Sequence, residues 1–202
     1  MGFPSTPILD TFTGSDGTDL TVYSANWTLI TANDLEIQGN AATGTAVATC
    51  GVMWNVADYG PSSEVYVTLS TTPADGQSVR IFLRYDLVGD TGYRLRQNKV
   101  AGAANDTWLL QRDDADAFTT LGATITQEVS NGDAIGIFMI GSIIAAYYKA
   151  VAGSWTELGT REDATYTAAA KLMLFCTDTT VRLDDFGGGT TVANPWYAYA
   201  QQ

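Results

Sequence analysis

The chain contains no histidine. That absence excludes a Ser-His-Asp or Cys-His nucleophilic apparatus and the usual imidazole metal sites. Basic residues are scarce as well: 10 Lys and Arg stand against 22 Asp and Glu, for a net charge of -12. A surface so acidic repels phosphate backbones and anionic lipid, so neither nucleic acid nor membrane insertion is expected. There are two cysteines, Cys50 and Cys176, both in or beside apolar segments. Two buried thiols or one long-range bridge would both fit, with free thiols the favoured reading. Helical periodicity is missing too: no long window repeats apolar residues at three and four positions, and no Ser-x-x-Glu start precedes an apolar run. The longest apolar stretch, residues 134–148, is about 15 residues against the ~20 a spanning helix needs, and Gly141-Ser142 divides it. The first residues, Met-Gly-Phe-Pro-Ser-Thr-Pro, show neither a basic head nor a long apolar segment, so no secretory leader is read there.

What is present follows the grammar of strands. Residues 131–186 give the plainest signals. Asp133-Ala-Ile-Gly-Ile-Phe-Met-Ile140 runs into Gly141-Ser142, then resumes as Ile143-Ile-Ala-Ala-Tyr-Tyr148, a hairpin pattern. Later come a Gly153-Ser154 turn with Trp155, then Lys171-Leu-Met-Leu-Phe-Cys176 and Val181-Arg-Leu-Asp-Asp-Phe186. In the middle of the chain, alternation over residues 79–87 places Val79, Ile81, Leu83, Tyr85 and Leu87 on one face and Arg80, Phe82, Arg84 and Asp86 on the other. Gly92-Tyr-Arg-Leu-Arg96 repeats the scheme with Tyr93 and Leu95 inward and Arg94 and Arg96 outward. Strands recur roughly every 8–12 residues, the spacing of a sandwich or barrel. At 202 residues and 21.5 kDa one domain of that kind is expected. The organisation reads as an N-terminal arm over residues 1–9, a sandwich over 10–187 and an aromatic tail over 188–202.

As a set, Asp10-Thr-Phe12, Trp27 after a Gly/Asp loop, Gly92-Tyr-Arg-Leu-Arg96, Trp108 with Arg112, Asn131-Gly-Asp-Ala-Ile-Gly-Ile137, the Gly141 hairpin and Leu183-Asp-Asp-Phe186 resemble the concanavalin A-like lectin/glucanase superfamily. The resemblance is nearest to laminin-G-like modules of bacterial and phage proteins and covers about residues 9–187. It implies an all-β fold in which two antiparallel sheets pack as a jelly-roll sandwich, one sheet concave. It also implies that first and last strands pair, bringing Asp10-Thr-Phe12 near Asp184-Asp-Phe186.

Candidate chemistry is read against that background. The glucanase branch uses a Glu-x-Asp-x-Glu strand, because retaining cleavage needs two closely spaced carboxyl groups. No such triplet occurs; the nearest acidic pair, Asp34-Leu-Glu36, reads as a solvated strand face, and no enzyme is expected. Lectin-like relatives often hold calcium on loop carboxylates, which makes Asp10, Asp184 and Asp185 candidate ligands, with Asp16, Asp19, Asp113, Asp114 and Asp116 as further hard oxygens. Turn formation by Asp explains the same residues, and none has EF-hand spacing. Asn26-Trp-Thr28 and Asn105-Asp-Thr107 fit the glycosylation sequon. An outward set of Arg80, Arg84, Arg94 and Arg96, with Arg112 and Trp108, would hydrogen-bond sugar hydroxyls or carboxylates while a ring stacks on the sugar. A solvated face that balances the acids and discourages edge pairing is the other reading.

Phe3 in the arm and Trp196, Tyr197 and Tyr199 in the tail are candidate subunit-docking residues, since aromatic rings concentrate at interfaces. The expected function is therefore a structural or adhesion protein of a virus particle, a phage capsid decoration or tail component. It would present a lectin-like module at the virion surface and hold other virion proteins, or copies of itself, through its terminal arms. A free carbohydrate-binding module recognising a surface glycan is the alternative.

Overall fold

The computed structural model describes residues 2–102 and 105–191. Alternating, β-branched sequence takes the extended conformation and buries one side of each strand. The first eight strands are β1 (Ile8–Asp10), β2 (Trp27–Leu29), β3 (Leu35–Ile37), β4 (Ala42–Gly44), β5 (Cys50–Tyr59), β6 (Ser63–Thr71), β7 (Ser78–Asp86) and β8 (Thr91–Asn98). The second eight are β9 (Thr107–Asp114), β10 (Ala117–Thr120), β11 (Ile125–Thr126), β12 (Asp133–Ile140), β13 (Ile143–Lys149), β14 (Thr156–Glu162), β15 (Ala170–Cys176) and β16 (Arg182–Thr190). One helical turn, Leu20–Tyr23, lies between β1 and β2, and no helix of the described residues is long and apolar enough to cross a membrane.

The strands form two antiparallel sheets. The first runs β14-β13-β12-β6-β16-β4-β3 with β1 beside β16; the second runs β10-β9-β8-β7-β15-β5-β2 with β11 beside β9. Val65, Val67 and Leu69 from β6 and Ile135, Ile137 and Met139 from β12 meet Val79, Ile81, Leu83, Tyr93, Leu95, Leu172 and Leu174 of the second sheet in one continuous core. The pleat makes this possible, because residues two apart share a face. First and last strands pair as the resemblance implied, with Asp10 opposite Phe186. The sheet already includes Ile8 and continues to Thr190, so the paired strands reach past residues 10–187 at both ends. Cys50 and Cys176 face each other across β5 and β15 as free, buried thiols.

Alternation along β7 breaks at Arg84, which takes a left-handed φ of 51° where the register with β8 and β15 shifts. A bulge of this kind moves every later side chain to the other face. The inward placement read for Tyr85 and Leu87 is therefore corrected: Tyr85 joins Phe82, Met53, Met173 and Phe175 on the outer side of the second sheet, and Leu87 is exposed.

The outer side of the first sheet is covered by the N-terminal arm. Phe3 stacks on Tyr147 with ring centroids 4.1 Å apart and meets Trp155 edge-on at 4.8 Å. Gly136 makes the space, since a Cβ there would overlap the Phe3 ring. Glu64, buried, accepts from the Ser5 N–H at 2.5 Å and from the Thr6 N–H and hydroxyl at 2.7 Å each through one carboxylate oxygen. Phe3, a subunit-docking candidate in the sequence, is thus engaged by its own sandwich. Trp196, Tyr197 and Tyr199 lie outside the described residues.

Candidate functional site

With one outer face occupied by the arm, the outer face of the second sheet is the open one. Register brings its side chains into two rows across the strands. In one row Arg96 on β8 lies opposite Arg80 on β7, Arg80 opposite Phe175 on β15, and Phe175 opposite Gly51 on β5. A side chain at Gly51 would collide with the Phe175 ring, so that ring occupies the space above the Gly51 backbone. In the second row Gln111 lies opposite Arg94, Arg94 opposite Phe82, Phe82 opposite Met173, and Met173 opposite Met53. Phe118 on the edge strand β10 covers Arg94, whose guanidinium carbon is 3.3 Å from the ring centroid. The same carbon is 5.7 Å from the Phe82 ring.

A groove of about 310 Å³ runs over this surface, lined by Arg80, Phe82, Arg94, Phe118 and Phe175, with Asp90, Asp113 and Asp116 also in its wall. Tyr85 forms part of that wall and also of an adjoining cleft of about 620 Å³ between β5, the β7–β8 turn and residues 165–171. The Tyr85 hydroxyl donates to Asp90.

Electrostatically the groove is unusual for an acidic protein. The five ion pairs among the described residues involve Lys99, Arg112 and Lys171, and none involves Arg80, Arg94 or Arg96. Arg94 donates from Nε to Gln111 Oε1 at 2.9 Å, and Gln111 is held in turn by the Thr120 hydroxyl at 3.1 Å. Arg80 Nε has only the Ser78 hydroxyl at 3.3 Å, and Arg96 Nε is buried without an acceptor. Burial, followed by the neighbouring Arg96, lowers Arg80 to about 10; burial, then Arg80 and Arg96, lowers Arg94 to about 9. A guanidinium keeps its proton at neutral pH, so these directions report the cost of burying neighbouring cations together, offset in part at Arg94 by Asp113 and Asp116.

The remaining sequence candidates lie elsewhere. The bulge turns Arg84 inward, where it donates to the carbonyls of Gly141 at 3.1 Å, Tyr166 at 2.9 Å and Pro61. It is 2% exposed and closes one end of the sandwich, so it is corrected from a glycan-binding residue to a structural one. Trp108 is wholly buried and its indole donates to the Gln127 carbonyl at 2.8 Å, which leaves no face for a sugar. Arg112 has the strand parity of Trp108 and Leu110, not of Arg94, and pairs with Asp114 at 2.9 Å and Asp163 at 2.7 Å.

Among the described residues no three carboxylates or thiols are grouped so as to hold a metal ion, and the calcium candidates have other partners. Asp10 accepts from the Phe12 N–H at 2.8 Å and the Trp27 indole at 2.8 Å, so its oxygens stitch the first strand to the core. Asp184 accepts from the Asp185 N–H at 2.7 Å. Asp34 is buried and accepts from the Thr21 hydroxyl and the Leu35 N–H rather than facing solvent. Sequence reasoning passed over Phe118, Phe175 and Tyr85; alternation alone puts Phe82 beside the arginines, but nothing in it says that β10 and β15 flank them.

No protein-family model and no curated protein matches the sequence. Solved structures share its fold at low sequence identity. The carbohydrate binding module CBM66 from Bacillus subtilis is 12% identical with a TM-score of 0.59, over 81% of this chain and 95% of that one. The exoplasmic/lumenal domain of VIP36, solved in a Ca2+/Man2-bound form, is 8% identical with a TM-score of 0.66, over 94% and 88%. The GH43 protein BlXynB from Bacillus licheniformis is 12% identical with a TM-score of 0.57, over 94% of this chain but only 39% of that protein. The chain has the concanavalin A-like jelly-roll fold.

Proposed function

We propose that this protein is a non-catalytic carbohydrate-binding module whose ligand lies in the groove on the outer face of the second sheet. The observation that carries the reading is the join of an exposed ring, Phe118, to a patch of arginines that make no ion pair, on the sheet face opposite the arm. Rings and planar guanidinium donors are the two elements a sugar needs, one for its apolar C–H face and one for its oxygens. The names of CBM66 and of the Man2-bound VIP36 domain support a saccharide as the ligand. A glycan array followed by calorimetry on Phe118→Ala tests it. Stacking of this kind is worth about 1 kcal/mol, so the variant should bind roughly fivefold more weakly with an unchanged melting temperature. Absence of saccharide binding, or equal affinity in the variant, would sink the reading.

We propose as the finer setting a virus particle, with the module displayed at the virion surface as a capsid decoration or tail component. Support comes from the resemblance to phage modules and from the aromatic cluster Trp196, Tyr197 and Tyr199 in the sequence. Other virion proteins or further copies of the chain would be its partners. Native mass measurement of the full chain, and of a chain lacking residues 192–202, decides it. Assembly that is lost with those residues supports the particle setting, and a lone 21.5 kDa full chain overturns it.

A further inference from the structure

The uncompensated cations narrow the class of sugar. Of the seven basic residues outside this patch six are answered, Lys149 being the exception: Lys99, Arg112 and Lys171 pair with carboxylates. Arg84, Arg161 and Arg182 donate to backbone carbonyls. With 22 acidic residues available, three neighbouring arginines without one within ion-pair distance form a conspicuous gap. Arg94 is occupied by Gln111 and the Phe118 ring, whereas Arg80 and Arg96 are directly opposite each other on adjacent strands and half-buried. A planar carboxylate laid between two guanidinium forks would accept charge-assisted bonds from both and supply the missing counter-charge; a hydroxyl would leave the charges unanswered.

The opposite end of the groove imposes the reverse preference. Asp90 and Asp116 share its wall with the buried Asp113; the first two can accept from sugar hydroxyls, and all three repel a second anion.

Resting on the reading of this face as saccharide-binding, we propose that its ligand is an oligosaccharide carrying one acidic sugar, of uronic or sialic type, seated on Arg80 in the groove's lining and on Arg96, which lies opposite Arg80 just outside that lining. Neutral sugars run from it toward Asp90, Asp113 and Asp116. A uniform polyanion is disfavoured because its next charges fall on those acids.

The test uses the full chain and matched pairs: lactose with sialyllactose, xylotriose with its glucuronic-acid-substituted form, a glycan array spanning further neutral and uronate-bearing partners, and polygalacturonate. Acid-bearing members should bind at least about tenfold tighter than their neutral parents, the range of a charge-assisted bidentate contact. In Arg96→Gln and Arg80→Gln the preference should fall below about twofold, and in Arg96→Lys, which keeps charge but loses the fork, it should be intermediate. Melting curves confirm that each variant is folded. Equal affinity for neutral and acidic partners, or a preference that survives Arg96→Gln, overturns the inference while saccharide binding stands. Polygalacturonate binding more tightly than the singly charged members overturns its single-acid part. If no saccharide of either kind binds, the reading of the face itself fails and takes the inference with it.

Discussion

Asp113 is 2% exposed, accepts the Asp116 N–H at 3.0 Å and shares its surroundings with Asp90, Asp116 and Arg94. Burial, then the charge of Asp90, raises it from 3.8 to about 6, with Arg94 pulling the other way. Because its folded value lies above the unfolded one, the stability it contributes is complete below about 3.8 and is lost as pH climbs through about 6. Above that pH a buried carboxylate charge remains as a cost. Asp113→Asn should therefore flatten stability between about pH 4 and 6 and stabilise the protein at pH 7.5 by on the order of 1–2 kcal/mol, after discounting for solvent screening. Urea unfolding across that range checks it, and a variant with the wild-type pH profile would count against the account. Burial raises the Cys176 thiol to about 12, so its reactive thiolate is scarce at neutral pH. A disulfide reagent should label neither Cys50 nor Cys176 in the native protein at pH 8 and both in guanidinium. Rapid native labelling would show that β5 and β15 part more readily than their packing indicates.

Among the elements, the arm takes most of its side-chain hydrogen bonds from one carboxylate, Glu64, so a single change loosens it. Glu64→Ala leaves the Ser5 and Thr6 N–H groups without their acceptor, while Phe3 retains only its ring contacts. Hydrogen exchange at residues 5–6 should accelerate strongly and Trp155 emission should shift to the red, at a cost of about 1–3 kcal/mol. Protection at those amides in the variant would show that ring stacking, with the Tyr66 hydroxyl on the Thr6 carbonyl and the Gly188 N–H on the Pro7 carbonyl, fixes the arm without Glu64. Much of the architecture was legible because the pleat writes itself into sequence: Val79, Ile81, Leu83, Tyr93 and Leu95 face inward as their alternation demands. The Gly141-Ser142 hairpin between β12 and β13 was legible for the same reason. The site was only half legible. Parity put Arg80, Arg94 and Arg96 on one face, but it carries no information about a bulge, so Arg84 was counted with them although its left-handed backbone turns it inward. Nor does parity along one strand say which strands are neighbours. β15 enters between β7 and β5 from far along the chain, and only that topology brings Phe175 beside Arg80.

At the scale of the whole molecule, one core joins both sheets while the surface carries a net charge of -12. The five ion pairs among the described residues engage only Lys99, Arg112 and Lys171, so most of the 22 acids have no cation within ion-pair distance, whatever hydrogen bonds they accept. Pairs of that kind contribute about 0–1 kcal/mol each, less than the repulsion they would have to offset. Salt shortens the reach of that repulsion, from about 30 Å at 0.01 M to about 8 Å at 0.15 M, while the buried hydrogen bonds of Asp10, Glu64 and Arg84 are hardly screened. Raising sodium chloride over that range at pH 7.5 should therefore increase the melting temperature by a few degrees, in one transition seen alike by far-ultraviolet and tryptophan signals. Trp27, Trp54 and Trp108 all lie in the shared core and report on it. A melting temperature that falls with salt would mean that local pairing outweighs the global repulsion. Two separated transitions would mean that the sheets do not share a single core.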